Sequence, residues 1–381
     1  MRQELQISLA KRLLDLIERR TTDMVDAQSS APVAEYLDPV RHAREVETLY
    51  RRWPLIVGHS SKLAAVGDYF THDASGLPLL LVRGGDGRAR AFFNVCRHRG
   101  ARVVCEAAGA GKTSFVCPYH SWTYKLDGRL AGIPHAEGFP EIEPARQGLV
   151  ELPMEEYAGF LWVVPTPGAS IDVASTLGPA ADDLKALNVS THTVYESRQF
   201  DRALNWKLAF DIFLEGYHVR PAHAQTIAPV FLDNVGLYDS LGWHLRIVFP
   251  KRSLSELRGQ DPAGWNLRAH ANVLYVIFPN TALLVQPDHL SVMHSFPLGP
   301  AATRVVAYTL TPEPATSDKA RRHWDANNAL FYAAIEEDYA MGESIQSGLG
   351  SGANAALTFG RFEQALGLFH RNVERALTDS V

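Results

Sequence analysis

The sequence predicts an α+β fold in two parts: a small all-β unit, then a larger unit in which long helices pack on an antiparallel sheet. Three observations carry this reading. The chain has 381 residues, roughly two and a half domains at about 150 residues each. Between Trp53 and about Pro165, short apolar runs alternate with turn signals. Beyond that stretch, strand-like runs are followed by two long helical ones.

Taken in chain order, Glu4 to Arg20 sets Leu5, Leu9, Leu13, Leu16 and Ile17 on one helical stripe, with Ile7 and Leu14 off it. The stripe reads as a helix packed on its own domain rather than on a membrane. A looser segment around Ser29, Ser30 and Pro32 precedes a second helix, from Pro39 to about Arg52, with Val40, Val46, Leu49 and Tyr50 on one side. Residues 1–48 are therefore expected to pack on the larger unit. The β unit, 49–165, carries Leu79 to Val82, then Gly84-Gly85-Asp86-Gly87, then Ala91 to Val95, which is a hairpin signature. Ser114 to Val116 and Phe160 to Val164 continue the strand texture. Pro165 to Asp183, rich in Pro, Gly, Ser and Ala, reads as the linker. In the last part, 166–381, a helix-like stretch from Trp206 to His218 precedes four strands. These are Trp243 to Phe249, Val273 to Phe278, Ala282 to Val285 and Arg304 to Thr311; helices follow from Lys319 to Ser344 and from Phe359 to Leu377.

Composition narrows the function. At 46% hydrophobic and 21% charged residues, whole-chain disorder, collagen and coiled coil are excluded. A net charge of -5 without a basic stripe argues against nucleic acid as partner. The N-terminus lacks a signal-peptide apolar core, and no stretch reaches the ~20 apolar residues of a membrane span. Three cysteines in a long chain make no disulfide framework, so a reducing cytoplasm is expected.

Two clusters of residues carry chemistry. The first is Cys96-Arg97-His98-Arg99-Gly100 with Cys117-Pro118-Tyr119-His120-Ser121-Trp122, each a loop between strands with one thiolate and one imidazole. Two Cys and two His can bind zinc, although zinc fingers usually pair like with like along the chain. The alternation suits a [2Fe–2S] cluster in which one iron takes both thiolates and the other both imidazoles. Cys-x-His-Arg-Gly and Cys-Pro-Tyr-His-Ser-Trp-x-Tyr, with Asp127-Gly128 behind them, resemble the Rieske domain of ring-hydroxylating oxygenase α subunits. Trp122 and Tyr124 are then expected to pack over the cluster; Cys105, outside the motif, reads as a buried thiol.

The second cluster is Asn205-Trp206-Lys207, then Asp211 to Leu214, Glu215, Gly216, Tyr217 and His218, ending at Val219-Arg220-Pro221-Ala222-His223. On a perfect helix of ~3.6 residues per turn, His218 and His223 would diverge by about 140°, but Pro221 permits a distorted end that aims both rings at one ion. The pattern Glu-x-Tyr-His-x4-His resembles the mononuclear iron motif of the same family, apart from Ile212 where many members have Asn. The resemblance implies an Fe(II) held by His218, His223 and a distant carboxylate. Glu336-Glu337-Asp338-Tyr339 with Glu343 is similar to the family's Glu-Asp-x4-Glu, which makes Asp338 the third ligand and Glu337 its nearest rival. Glu215 matches the acidic bridge between the two metal centres, as Glu in a branch that includes carnitine and related quaternary-amine oxygenases.

The resemblance further implies a helix-grip catalytic domain and a homotrimer whose subunits meet head to tail. Electrons would come from a separate NAD(P)H-dependent reductase, with or without a ferredoxin, because the chain has no dinucleotide fingerprint of its own. The expected activity is hydroxylation of an aromatic or other apolar substrate with O2. The alternatives are N- or O-demethylation or C–N cleavage of a methylated or quaternary amine, and a non-catalytic electron-transfer protein. Arg220 reads as a substrate-carboxylate ligand or a surface ion pair, and His135, His289 and His294 as ordinary histidines. Gly348 to Gly352 reads as a turn between helices rather than a phosphate loop.

Overall fold

The computed structural model describes residues 1–379, which pack as two compact units: Tyr50–Thr176, and Met1–Leu49 together with the chain from Leu177 onward. The β unit runs past Pro165 because the supposed linker is tied back to it. Thr166 Oγ1 donates to the Arg51 carbonyl at 2.8 Å, and the Val173 N–H donates to Glu155 at 2.9 Å.

In the β unit, the run Leu79–Arg83 is a central strand of a five-stranded antiparallel sheet. Its apolar continuity has a physical reason: Leu80 and Val82 face one core, and Leu79 and Leu81 face another. The first core contains Cys96, Cys117, Trp122 and Tyr124 with Phe92 and Phe115. A separate three-stranded sheet, Ser114–Val116, Thr123–Lys125 and Leu130–Gly132, carries the second Cys/His loop between its first two strands.

The other unit is built on a seven-stranded, wholly antiparallel sheet. Its order is Thr193–Arg202, Ala302–Thr311, Leu290–Gly299, Thr281–Val285, Ala271–Ile277, His244–Pro250 and Leu237–Leu241. The helix Asp318–Leu349, capped by the Ser317 side chain, lies on one face, where Thr309 Oγ1 donates to Asn328 at 2.6 Å. This is the sheet-around-helix arrangement expected. Among the described residues, no helix is long and apolar enough to cross a membrane.

Three expectations need correction. Ser29–Pro32 is a strand paired with Ala356–Phe359, so Phe359 ends a strand and the last helix begins at Gln364. Gly348 to Gly352 accordingly leads from a helix into that strand. The third correction is the expected helix from Trp206 to His218. It is reduced to Leu208–Asp211 and Val219–Ala222, with an irregular stretch between.

Candidate cluster and metal sites

The two Cys/His loops share one local design. The Cys96 carbonyl accepts the Gly100 N–H and the Cys117 carbonyl accepts the Ser121 N–H, both at 3.0 Å. Gly100 (φ 78) and Ser121 (φ 58) take the left-handed conformation that each tight turn demands. The turns sort the ligands by type. Cys117 lies in hydrogen-bonding reach of Cys96, while the rings of His98 and His120 are 4.6 Å apart. Burial raises the Cys117 thiol; backbone N–H groups of Tyr119 and His120 favour its thiolate, and Cys96 adds to the rise. Tyr124 Oη lies 3.3 Å from Cys96 Sγ and accepts the Arg97 N–H at 3.0 Å. Trp122 stacks on the His98 ring at 5.0 Å, as a cover for the site.

A [2Fe–2S] cluster with paired thiolates and paired imidazoles fits this arrangement. His98 Nδ1 is buried and has no hydrogen-bond partner among the described residues, a cost that bonding to a metal removes. Elsewhere among the described residues, His218, His223 and Asp338 bring three ligand atoms within 4.8 Å of one another.

The second site exists because the helix breaks. Glu215 is the breaker: its carboxylate accepts the backbone N–H groups of Tyr217 and His218 and contacts His218 Nδ1. Those amides are withdrawn from helix bonding. The turn brings the His218 and His223 rings to 5.2 Å, with His218 Nε2 3.3 Å and His223 Nε2 2.9 Å from Asp338 Oδ1. Glu337 is not in that convergence. It meets the opposite edge of the His223 ring, Oε2 to Nδ1 at 2.7 Å.

Electrostatics show what the site accepts. Burial would lower the His218 imidazole, but Asp338 and Glu215 outweigh it and push it up to about 10. His223 is raised against burial in the same way, by Asp338 and then Glu337. Three carboxylates around two imidazoles favour positive charge, and a divalent iron meets that demand at His218, His223 and Asp338.

The surrounding elements hold this segment at both ends. The Ala203 N–H donates to Glu343 at 3.0 Å and the Asn205 N–H to Gln346 at 2.7 Å, so the helix bearing Asp338 also grips the chain leading to the histidines. Glu343 thereby gains a structural reason for its place after Asp338. Lys207, 0% exposed, donates to both oxygens of the equally buried Glu45 at 2.8 and 2.7 Å. Trp206 Nε1 and Arg41 Nε also donate to the Glu45 carboxylate. Asp211 accepts from Tyr36 Oη at 2.7 Å and pairs with His370 Nε2 at 3.0 Å. Spacing alone could not reveal Glu45, Tyr36 or His370 as anchors.

Of the weaker signals, Arg220 is 78% exposed and faces Asp233 at 3.4 Å, a surface pair. His135 is exposed, whereas His289 and His294 are buried and hydrogen-bonded to Asp288 and to Thr281 and Tyr308. Cys105 is exposed, contrary to expectation. Val103 and Val104 take the buried positions, held through their N–H groups by Asn94 Oδ1, and the chain turns outward after them.

Comparisons with known proteins match each part of the chain to a family. The Rieske [2Fe-2S] domain model matches residues 53–145, and the ring hydroxylating alpha subunit (catalytic domain) model matches residues 189–379. The carnitine monooxygenase oxygenase subunit of Acinetobacter baumannii is 31% identical, over 86% of this chain and 86% of that one. The chloroplastic choline monooxygenase of Beta vulgaris is 29% identical, over 84% of this chain and 70% of that one. In fold, the chain matches a quaternary ammonium Rieske monooxygenase crystallised with L-carnitine, with TM-score 0.78, 23% identity and coverage of 93% and 96%. It also matches naphthalene 1,2-dioxygenase from Rhodococcus sp., with TM-score 0.75, 18% identity and coverage of 99% for both chains.

Proposed function

The chain belongs to the Rieske-type ring-hydroxylating α-subunit family, and from that premise we propose that it oxygenates a quaternary ammonium compound. The observation that carries the substrate class is kinship. Relatives named for carnitine, choline and glycine betaine align over 86%, 84% and 88% of the chain. The likeness to naphthalene dioxygenase, at 18% identity, is one of fold. An aromatic or apolar substrate, the first expectation from the motifs, therefore gives way to the alternative. Glu at position 215, the acidic residue of the carnitine-like branch, supports the same choice.

In this reading Cys96, His98, Cys117 and His120 hold the [2Fe–2S] cluster, and His218, His223 and Asp338 hold the mononuclear iron. When bound, the iron would supply the reductive activation of O2 and the cluster would supply electrons, one at a time, from a separate reductase. The chain's own residues prepare both centres. Carboxylates at the Nδ1 edges of His218 and His223 fix the protons there and leave each Nε2 free to ligate. N–H donors on Cys117 and the imidazole pair draw the cluster potential upward. A homotrimer would bring the Glu215 of one subunit to a cluster histidine of the next. One of the matched structures is reported with inter-subunit electron transfer, which supports this assembly. A reducing cytoplasm suits the two thiolates.

The test is a substrate screen with a surrogate reductase, NADH and 18O2. Carnitine, choline or glycine betaine should drive oxygen uptake matched by a labelled product. A cis-diol from naphthalene without turnover of any quaternary amine would overturn the substrate class. A reducible cluster without oxygenation of either class, and without mononuclear iron, would mark an electron-transfer protein.

A further inference from the structure

His223 is gripped from both edges by consecutive residues of one helix. Asp338 Oδ1 stands 2.9 Å from Nε2, and Glu337 Oε2 stands 2.7 Å from Nδ1. The two ring nitrogens face different ways, so Glu337 cannot hold Nδ1 and share the ion as well. The same oxygen accepts the Thr226 hydroxyl at 2.6 Å, which pins the carboxylate against rotation. His223 is 1% exposed, so its ring is shielded from bulk solvent.

The two histidines differ in where their supports come from. Glu215 lies three residues before His218, on the same turn. Glu337 lies 114 residues from His223, on the helix that also supplies Asp338. The local support forms with its loop; the distant one forms only when helix and loop pack together.

We propose that Glu337 is a positioning residue for the metal centre: with Thr226 it orients His223, keeps its proton on Nδ1, and locks the histidine segment to the ligand helix. This rests on the iron assignment above but not on any substrate class. A carboxylate on a ligating imidazole raises its basicity and sets its orientation, and losing such a partner typically weakens metal binding by about 10–100-fold.

The test is titration of the iron-free, cluster-loaded protein with Co(II), following both affinity and the ligand-field spectrum. Glu337→Ala should weaken Co(II) binding by about 10–100-fold and alter the spectrum, leaving the cluster absorption intact. Glu337→Gln, which keeps an acceptor for Nδ1–H, should recover part of the affinity, and Thr226→Val should produce a smaller loss than Glu337→Ala. Should Glu337→Ala not fold, Glu337→Gln and Thr226→Val still decide, since each alters one bond to the same oxygen. Affinity within twofold of wild type and an unchanged spectrum in these variants would overturn the proposal. Retention of the metal in Asp338→Asn together with its complete loss in Glu337→Gln would instead make Glu337 the ligand. Neither result depends on turnover, so a wrong substrate class would leave the test untouched.

Discussion

Compared side by side, the cluster loops and the iron segment solve the problem of placing ligands in different ways. The loops are short turns between strands, each closed by the same carbonyl-to-amide bond and each delivering one Cys and one His. The iron segment is a broken helix whose third ligand arrives from a separate helix, and it is held by charged groups from both ends of the chain. The cysteines of the loops sit in an apolar core with Trp122, Tyr124 and Phe115, and Trp122 stacks on the partly exposed His98. The iron segment is surrounded by carboxylates. A local site needs packing; an assembled site needs a network of buried charges.

The sharpest way to break this comparison is to damage one region and inspect the other. Asp338→Ala should bring oxygenation to background and remove mononuclear iron while the visible spectrum of the cluster stays as in wild type. His98→Cys should leave the mononuclear iron bound while adding negative charge to the cluster. Its potential should fall from the range of about -150 to +300 mV toward the value of about -400 mV of all-thiolate clusters. Electrochemistry and metal analysis on both variants would check this, and loss of metal from the untouched centre would refute the separation.

Next in size is the anchor of the iron segment. Glu45→Gln removes the charge that compensates Lys207, and breaking a buried pair from one side costs about 3–5 kcal/mol. Chemical denaturation followed by tryptophan fluorescence should show this loss. A change below about 1 kcal/mol would mean that the network is not what holds the segment.

His370 gives a pH-dependent version of the same test. Burial opposes its charge, but Asp211 and Glu35 outweigh burial and push the imidazole up to about 9. A raised folded pKa means that the stabilisation is complete below the ordinary value of ~6.5 and fades as pH rises through 9. The loss should total about 3 kcal/mol across that window, and Asp211→Asn should flatten the slope. Stability rising with pH over this range, after correction with the Asn variant, would contradict the ion pair.

The smallest effect belongs to the loops. Ser121 occupies a left-handed position that costs a side chain roughly 1–2 kcal/mol, offset in part by the greater freedom of an unfolded glycine. Ser121→Gly should therefore raise the midpoint of thermal cluster loss slightly, with an unchanged potential. A lowered midpoint would show that the hydroxyl matters more than the backbone.

The same contrast explains how much could be read from the sequence. Cys96, His98, Cys117 and His120 stand out in the sequence because the spacing within each loop sets the geometry of its turn. His218 and His223 needed a resemblance, since regular helical spacing would have set them apart; the side chain of Glu215 breaks that regularity. Glu337 and Asp338 were both visible as acids, but only packing separates the one at Nδ1 from the one at the convergence. Ser29–Pro32 cannot be recognised as a strand from the sequence because its partner lies at the other end of the chain. The exposure of Cys105 is not readable from the sequence, because burial of a lone thiol depends on which way a loop turns.

The most direct measurement is a single turnover of protein with its cluster reduced beforehand, mixed with O2 and a quaternary ammonium substrate. Cluster oxidation and product would be followed in the same sample. The account predicts that oxygenated product appears together with loss of the reduced-cluster signal, and that Glu215→Gln slows both while the metals stay bound. Oxidation of the cluster with no product from any quaternary ammonium compound, or product formed without cluster oxidation, would contradict it.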